Sequence, residues 1–206
     1  MRVITGRAKG RRLASVPGDS TRPVTDRVKE ALFDILGIEV VDCRFLDLFG
    51  GTGGVGIEAL SRRAAHCTFV ERDPRALRTI RLNLETTGLA ANATIVHGDA
   101  FAYLRRPAVG PFDIIYVAPP QYEGLWRRAI TQIDAQPSLL VVGGLAIVQI
   151  HPREAEDVAC QHLALDDERR YGSTLLRFYV RSDPLAHVEL TQLEPQPPIV
   201  LPRADG

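Results

Sequence analysis

From residue 45 onward, short apolar runs alternate with helical stretches, and this alternation limits the possible folds more than any other feature of the chain. Five units follow one another: FLDLF then VGIEALSRRA, CTFVE then PRALRTIRLNLETTG, ATIVHG then DAFAYLRR, DIIYV then GLWRRAITQID, and GLAIVQI then PREAEDVACQHL. Strand–helix units in series predict a parallel sheet with helices on both faces.

Two further segments flank this series. Upstream, RPVTDRVKEALFDIL places Pro23 and Thr25 before apolar residues at helical spacing, which predicts a helix entered from a turn. Downstream, LALDDERRYG and STLLRFYVR predict two antiparallel strands around a tight turn at Gly172 and Ser173. We therefore expect an α/β sandwich over residues 23–182, with a mostly parallel seven-stranded sheet and an antiparallel final strand.

The composition favours one soluble domain. With 45% hydrophobic and 24% charged residues, the 206-residue chain can bury a single core. The sequence shows neither a membrane-spanning apolar run nor a secretory signal, so we expect a cytoplasmic protein. We also expect a monomer. The three cysteines and five histidines are dispersed, which predicts no metal site. Residues 183–206 contain five prolines and little periodicity, which predicts a flexible tail.

Positive charge is concentrated at the N-terminus. The formal net charge is zero, yet residues 1–30 carry eight Arg or Lys against three Asp or Glu. Binding to nucleic-acid phosphates depends on local positive charge, not on the total. The charge alone therefore fits either an RNA-binding arm, residues 1–22, or an ordinary solvated surface.

The segment LDLFGGTGGVGIEAL contains a glycine-rich turn between a strand and a helix. Gly51, Gly53 and Gly56 match the GxGxxG pattern, in which glycines permit a sharp turn and close approach to a ligand. This pattern suits a dinucleotide, S-adenosylmethionine or a tight turn without a ligand. Asp47 favours S-adenosylmethionine, because a carboxylate repels a pyrophosphate and suits the ammonium group of a methionine.

Acidic residues follow the next two predicted strands. Glu71 closes the second, where a carboxylate can hold both hydroxyls of a ribose. Asp99 and Ala100 follow the third, where a carboxylate and a backbone amide can reach an adenine ring. Glu71 also fits an exposed strand end, and Asp99 a helix N-cap. Because parallel strands end at one edge of the sheet, we expect these residues to converge on one crevice.

The segment from Arg2 to about Arg181 resembles the RsmD-type 16S rRNA (guanine-N2)-methyltransferases. The stretches RVITGRAKGRRL, RPVTDRVKEALFDIL, DLFGGTGGVGIEALSRRA and VERD carry this resemblance in order and spacing. It implies a Rossmann-like S-adenosylmethionine-dependent methyltransferase sandwich with a small N-terminal β-hairpin that turns at Gly6 and Gly10. The implied substrate is N2 of a guanine, at position 966, in 16S rRNA or in a small-subunit particle.

The resemblance also implies two sets of contacts. The cofactor contacts are expected from Thr25, Asp47, Gly51, Thr52, Gly53, Glu71, Arg72, Asp99 and Ala100. The RNA contacts are expected from the arm and the helix entry, at Arg2, Arg7, Lys9, Arg11, Arg12, Arg22 and Arg27. Arg22 and Arg27, which flank the helix entry, also fit a contact with the methionine carboxylate of the cofactor.

The fourth predicted strand ends in VAPPQY, where the family carries an acid or amide, two prolines and an aromatic residue. A hydrogen-bond acceptor polarises the weakly nucleophilic aromatic amine, and the aromatic side chain stacks the base. Here Ala118 stands at the acid or amide position and Gln121 at the aromatic position. We expect Tyr122 or Trp126 to stack the base, and the acceptor site to comprise Ala118, Pro119, Pro120, Gln121 and Tyr122.

Three functions fit these residues. The one we favour is the rRNA (guanine-N2)-methyltransferase, with the carbonyl after Ala118 and the amide of Gln121 as acceptors. A catalytically weakened or inactive homologue that binds RNA or assembling ribosomal particles also fits, because a lost hydrogen-bond partner costs about 10² to 10³ in rate. The third is a methyltransferase for a non-RNA amine. The spacing of Tyr122 and Trp126 also fits two residues that cover the sheet.

Overall fold

A computed structural model describes residues 1–18, 25–107 and 109–182. Its strands form a seven-stranded sheet in the order β3-β2-β1-β4-β5-β7-β6. Strands β1 to β5 are parallel, and β7 lies antiparallel between β5 and β6. The predicted mostly parallel sheet with an antiparallel final strand is confirmed. The strands are β1 (Arg44–Asp47), β2 (His66–Glu71), β3 (Ala93–His97), β4 (Phe112–Val117), β5 (Leu140–Ile150), β6 (Leu163–Tyr171) and β7 (Thr174–Arg181).

Helices cover both faces of the sheet, as the alternation predicts. On one face, α1 to α3 pack through residues such as Leu32, Ile57 and Ile80. On the other face, α4 and α5 pack through Phe101 and Ile130. The helices are α1 (Asp26–Leu36), α2 (Gly54–Ser61), α3 (Pro74–Thr87), α4 (Ala100–Leu104) and α5 (Leu125–Asp134), with 3-10 turns at Gly37–Val40, Ala90–Asn92, Pro137–Leu139 and Pro152–Glu154.

The helix expected after β5 does not form, so the prediction for PREAEDVACQHL is wrong. A single 3-10 turn is followed by irregular chain up to β6. Within this segment Val158 and Cys160 pack against the core. The buried carboxylate of Asp134 accepts hydrogen bonds from the backbone amides of residues 161–163. Because these amides donate to Asp134, they are not available for the backbone hydrogen bonds of a helix.

The N-terminal arm, defined from here on as the described residues 1–18, forms a short antiparallel loop. One isolated bridge joins Arg2 to Arg12, where the sequence predicts a hairpin with two strands. Gly6 and Gly10 have φ angles of +86° and +81°, and both lie in the turns of this loop. Arg22 and the proposed tail, residues 183–206, lie outside the described residues.

Candidate active site at the carboxyl edge of the sheet

The carboxyl ends of β1 and β2 bring the glycine turn and Glu71 into direct contact. The backbone amide of Gly51 donates to Glu71 Oε2 at 2.8 Å. The end of β3 joins the same edge, because the amide of Gly98 donates to the carbonyl of Glu71 at 3.0 Å. The glycine turn and Glu71 therefore meet at this edge of the sheet, as their positions after β1 and at the end of β2 predict.

The three glycines of the GxGxxG pattern serve different purposes. Gly51 and Gly53 have positive φ angles of +53° and +76°, which the turn requires. Gly53 is the N-cap of α2 and has no side chain to cap the first amides of that helix, of which Gly56 N is bonded to Asp47 instead. Gly56 is needed for packing, since a Cβ atom there would lie 2.3 Å from the ring of Phe69.

Asp47 lies behind the glycine turn. Its side chain is 2% exposed, and its Oδ2 accepts from the amide of Gly56 at 3.2 Å. Burial raises the pKa of Asp47 to about 7, and the charge of Glu71 adds to the rise, whereas the Gly56 amide opposes it. The carboxyl group therefore joins the end of β1 to the start of α2. Its contact with a methionine ammonium stays a prediction.

Glu71 has a structural task besides its predicted one. Its Oε1 accepts from the amides of Arg72 and Asp73 at 2.7 and 2.8 Å, while Oε2 accepts from Gly51. Each carboxylate oxygen can accept two hydrogen bonds, so Oε2 retains capacity for one ligand hydroxyl. A ribose that uses both hydroxyls must displace one of these backbone bonds.

The other predicted cofactor residues occupy ordinary structural positions around this edge. Asp99 is exposed and caps α4, with its Oδ1 accepting from Ala102 N at 2.8 Å. Thr25 likewise caps α1, with its Oγ1 accepting from Val28 N at 3.3 Å. Thr52 Oγ1 lies 3.9 Å from Met1 Sδ. Arg72 is exposed and Ala100 is buried. Their cofactor contacts stay predictions.

The loop after β4 presents part of the predicted acceptor site to solvent. Ala118 is half-buried and Pro119 is buried, whereas Pro120, Gln121 and Tyr122 are exposed. Tyr122 has a φ angle of +64°, which is uncommon for a residue other than glycine.

Trp126 cannot stack a base in this structure, so that alternative is wrong. Its side chain is 1% exposed and packs against the sheet with α5. The guanidinium carbon of Arg177 lies 5.5 Å from the Trp126 ring centroid and covers the ring. Of the two aromatic residues, Tyr122 alone remains exposed, at 65%.

The predicted RNA-binding residues fall into two groups. Lys9, Arg11, Arg12 and Arg27 are exposed. Arg7 donates from its guanidinium to the carbonyl of Leu60 at 3.1 Å, which fixes the arm to α2. Arg2 lies 3.6 Å from the carboxylate of Asp26. A cleft beside the glycine turn is lined by Met1, Arg2, Arg12, Leu13 and Asp26.

A buried ion pair beneath the arm escaped the sequence analysis. Lys29 Nζ lies 3.3 Å from Glu58 Oε2, and both side chains are fully buried. Burial lowers the pKa of Lys29, and the nearby Glu58 opposes this shift. Glu58 also accepts from the amides of Ile4 and Thr5 at 2.8 and 2.9 Å. The pair therefore holds the arm against α1 and α2.

Asn83 on α3 connects the arm to the glycine turn. Its Oδ1 accepts from Ala14 N at 2.7 Å, and its Nδ2 donates to the carbonyls of Ala14 and Thr52 at 3.1 and 2.9 Å. A buried asparagine on an amphipathic helix is a weak signal in a sequence, because its partners are far away along the chain.

The described part of the chain has neither a candidate metal cluster nor a helix suited to a membrane. Across residues 1–18, 25–107 and 109–182, no cluster of three or more His, Cys, Asp or Glu side chains could hold a metal ion. In the same part of the chain, no helix combines the length and apolar character needed to cross a membrane.

Comparison with known proteins places the chain in a family. The family model described as "Conserved hypothetical protein 95" matches residues 1–180. "Ribosomal RNA small subunit methyltransferase D" of Escherichia coli (strain K12) is 33% identical over 181 residues, which cover 88% of this chain and 90% of that relative. The chain belongs to the RsmD family. YlbH of Bacillus subtilis (strain 168), another relative, is 41% identical and covers 87% of this chain and 98% of its own length.

Solved structures agree with this assignment to the RsmD family. The structure of yhhF from Escherichia coli has a TM-score of 0.78 and 35% identity, and covers 88% of this chain and 98% of that one. An RNA methyltransferase from Salinibacter ruber in complex with S-adenosyl-L-homocysteine has a TM-score of 0.60, covering 79% of this chain and 95% of that one. At 17% identity the second likeness shows the fold alone.

Proposed function

We propose that the protein transfers a methyl group from S-adenosylmethionine to the exocyclic N2 of a guanine in 16S rRNA, at position 966. Membership of the RsmD family supports a methyltransferase, and the name of the Escherichia coli relative supports a small-subunit rRNA substrate. The observation that carries the proposal is the junction of the glycine turn and Glu71, with Gly51 N 2.8 Å from Glu71 Oε2.

The donor half of the site, from Asp47 to Gly54 together with Glu71, fits this cofactor. A Cβ atom on Gly51 would have its nearest neighbour at 3.9 Å, so a ligand can approach the turn closely. Glu71 Oε2 can accept one ribose hydroxyl, and Asp47 is the nearest carboxyl group behind the turn for an ammonium. When bound, S-adenosylmethionine supplies an electrophilic methyl group on a sulfonium. Adenine contacts from Asp99 and Ala100, and further contacts from Thr25, Thr52, Gly53 and Arg72, belong to the proposal.

The acceptor half, residues 118–122, positions the amine. The carbonyl after Ala118 and the side-chain oxygen of Gln121 are the available acceptors for the amine N–H groups, and Pro119 and Pro120 stiffen the turn. The N2 lone pair forms the new bond to the methyl carbon as the carbon–sulfur bond breaks, and the nitrogen then loses a proton to water. Because this is a single displacement, most of the rate enhancement comes from positioning.

The exposed basic residues of the arm would hold the RNA backbone. Lys9, Arg11 and Arg12 are exposed on the arm and Arg27 on α1, and Arg2 and Arg12 line the cleft beside the glycine turn. Arg7 contributes by fixing the arm to Leu60 as much as by its charge. Cytoplasmic location, a monomeric state, the RNA role of Arg22 and the three-part division at residues 22 and 182 stay predictions.

The experiment is transfer of labelled methyl from S-adenosylmethionine to 16S rRNA, free and in small-subunit particles, from a host that lacks this protein. Label recovered as N2-methylguanine supports the proposal. Cofactor binding by calorimetry without any label would favour the second candidate, an RNA-binding homologue without activity, which the unusual Ala118 and Gln121 suggest. A variant with Lys9, Arg11 and Arg12 replaced by Ala should lose turnover on RNA, whereas a non-RNA amine substrate predicts unchanged turnover.

A further inference from the structure

Two aromatic side chains meet at the ends of β4 and β5, and only one of them belongs to the predicted acceptor site. The ring centroids of Tyr122 and His151 lie 5.6 Å apart with an interplanar angle of 42°. Tyr122 is 65% exposed and His151 is half-buried. An exposed ring supported by a second ring, at the sheet edge that carries the glycine turn, is a surface on which a base can stack.

One carboxylate holds both residues in place. Glu154 Oε2 accepts from the backbone amide of Tyr122 at 2.7 Å, and Glu154 Oε1 accepts from the amide of His151 at 3.2 Å. The bond to Tyr122 helps to hold the backbone of this residue at its uncommon positive φ angle. His151 begins a capping box with Glu154, and the pattern HPRE in the sequence is the signal that could have revealed it.

The orientation of His151 leaves one ring nitrogen for a ligand. Its Nδ1 accepts from the amide of Arg153 at 3.2 Å. A neutral imidazole that accepts at Nδ1 carries its proton on Nε2, so Nε2 can donate to a ring acceptor of a base.

We propose that the Tyr122 ring forms the stacking surface for the target guanine, that His151 supports this ring and donates from Nε2 to an acceptor on the guanine edge, and that Glu154 is the positioning residue for both. The identity of the base rests on the proposed function. The family pattern has its aromatic residue at position 121, where this chain has Gln. In this arrangement Tyr122 provides the ring instead, with His151 at the end of β5 as its partner.

The test uses the full-length protein and two RNA hairpins, one with a single unpaired guanine and one with an abasic site at that position. The ratio of their dissociation constants, measured by fluorescence anisotropy with S-adenosylhomocysteine present, isolates the contribution of the base. Stacking of one base on an aromatic ring corresponds to a preference of about 5-fold or more. We expect Tyr122→Ala, His151→Ala and Glu154→Ala to lose most of this preference, while Tyr122→Phe keeps it.

A matched control separates positioning from charge and folding. Like Glu154→Ala, Glu123→Ala removes a negative charge near Tyr122, but from an exposed side chain. This variant should keep both the guanine preference and the KM for RNA. Each variant should bind S-adenosylhomocysteine with the affinity of the wild type, because none of the three residues belongs to the donor half. In methyl transfer, Tyr122→Ala and Glu154→Ala should raise KM for 16S rRNA.

The outcomes separate this inference from the proposed function. Equal guanine preference in the wild type, Tyr122→Ala and His151→Ala overturns the stacking surface, even where the wild type methylates RNA. Absence of any guanine preference in the wild type overturns it as well. A guanine preference that depends on Tyr122 and His151, in a protein that transfers no methyl, supports the stacking surface and rejects the proposed transfer.

Discussion

The donor and acceptor halves of the site are held together in opposite ways. In the donor half, the carboxylates of Asp47 and Glu71 accept from the amides of the turn and strand ends that surround them. In the acceptor half, Tyr122 lies in an exposed loop, held by Glu154 from 32 positions further along the chain. The donor half is therefore held by several carboxylate–amide bonds, whereas Tyr122 in the acceptor half is held by one.

This difference explains where the chain can depart from its family pattern. A change at Asp47 leaves the buried amide of Gly56 without its acceptor, and a change at Glu71 removes the acceptor of three partly buried or exposed amides. In the acceptor loop Gln121 is exposed and Ala118 is a small, half-buried side chain, so both can be accommodated without loss of the fold. The following predictions test this contrast.

The largest expected effect is a loss of stability at the buried Lys29–Glu58 pair, which lies beneath the arm and outside both halves of the site. Glu58→Ala leaves the Lys29 ammonium buried without its partner and removes the acceptor of the Ile4 and Thr5 amides. We expect the free energy of unfolding to fall by about 3–5 kcal/mol, measured by urea denaturation. Glu30→Ala, at an exposed position of α1, is the control and should change stability by less than about 0.5 kcal/mol. Equal effects of the two variants would contradict the structural role of the pair.

The next effect concerns Glu71. Glu71→Ala removes the acceptor of three backbone amides and of the proposed ribose hydroxyl. Since a hydrogen bond to a charged group contributes about 1.5–3 kcal/mol, loss of the ribose contact and of the support for the turn should lower the affinity for S-adenosylmethionine about 100-fold. Calorimetry measures this affinity, and Glu71→Gln should lie between the wild type and the alanine variant. An unchanged affinity would show that the junction does not organise the cofactor site.

Asp47 should give the donor half a pH dependence of stability. The pKa of Asp47 is raised from 3.8 to about 7 in the folded protein. Between these values the folded state retains a proton that the unfolded state has lost, so this group lowers stability by about 1.4 kcal/mol per pH unit as the pH rises, and the effect levels off above pH 7. Asp47→Asn keeps an acceptor for Gly56 N and should lack this loss.

Urea denaturation at pH 5, 6, 7 and 8 measures the difference between the wild type and Asp47→Asn. The difference should grow in favour of the variant up to about pH 7, which is the folded-state pKa. If the free energy of unfolding changes with pH by the same amount in both proteins, folding does not raise the pKa of Asp47. S-adenosylhomocysteine should reduce the difference above pH 7, because its ammonium favours the ionised carboxylate.

The smallest effect is expected in the acceptor half. Ala118→Asn adds the amide acceptor that the family pattern has at this position, beside the carbonyl already proposed to accept from the amine. We expect kcat for methyl transfer to 16S rRNA to rise about 10-fold. This gain is smaller than that of a preorganised hydrogen-bond partner, because the surrounding loop is adapted to alanine and not to asparagine. The affinity for S-adenosylmethionine should stay the same. A loss of kcat would indicate that alanine is required here.

The prediction of the fold from sequence succeeded where the signal is local. Periodicity located all seven strands, and the turn at Gly172 and Ser173 fixed the final antiparallel pair. Periodicity failed for residues 155–162, because the carboxylate that fixes the end of that segment, Asp134, comes from another element. Periodicity also could not distinguish base stacking from packing against the sheet for Trp126, and the burial of its side chain shows that it packs.

The sequence by itself determined the seven strands, the helices between β1 and β5, the glycine turn and the acids at the ends of β1 and β2. These features depend on residues that are neighbours along the chain, and on parallel strands ending at one edge. The tertiary structure alone decided that Lys29 and Glu58 form a buried pair and that Glu154 holds both Tyr122 and His151. The physical reason is that a charge becomes buried, and a carboxylate finds its amides, only when elements distant in sequence pack together.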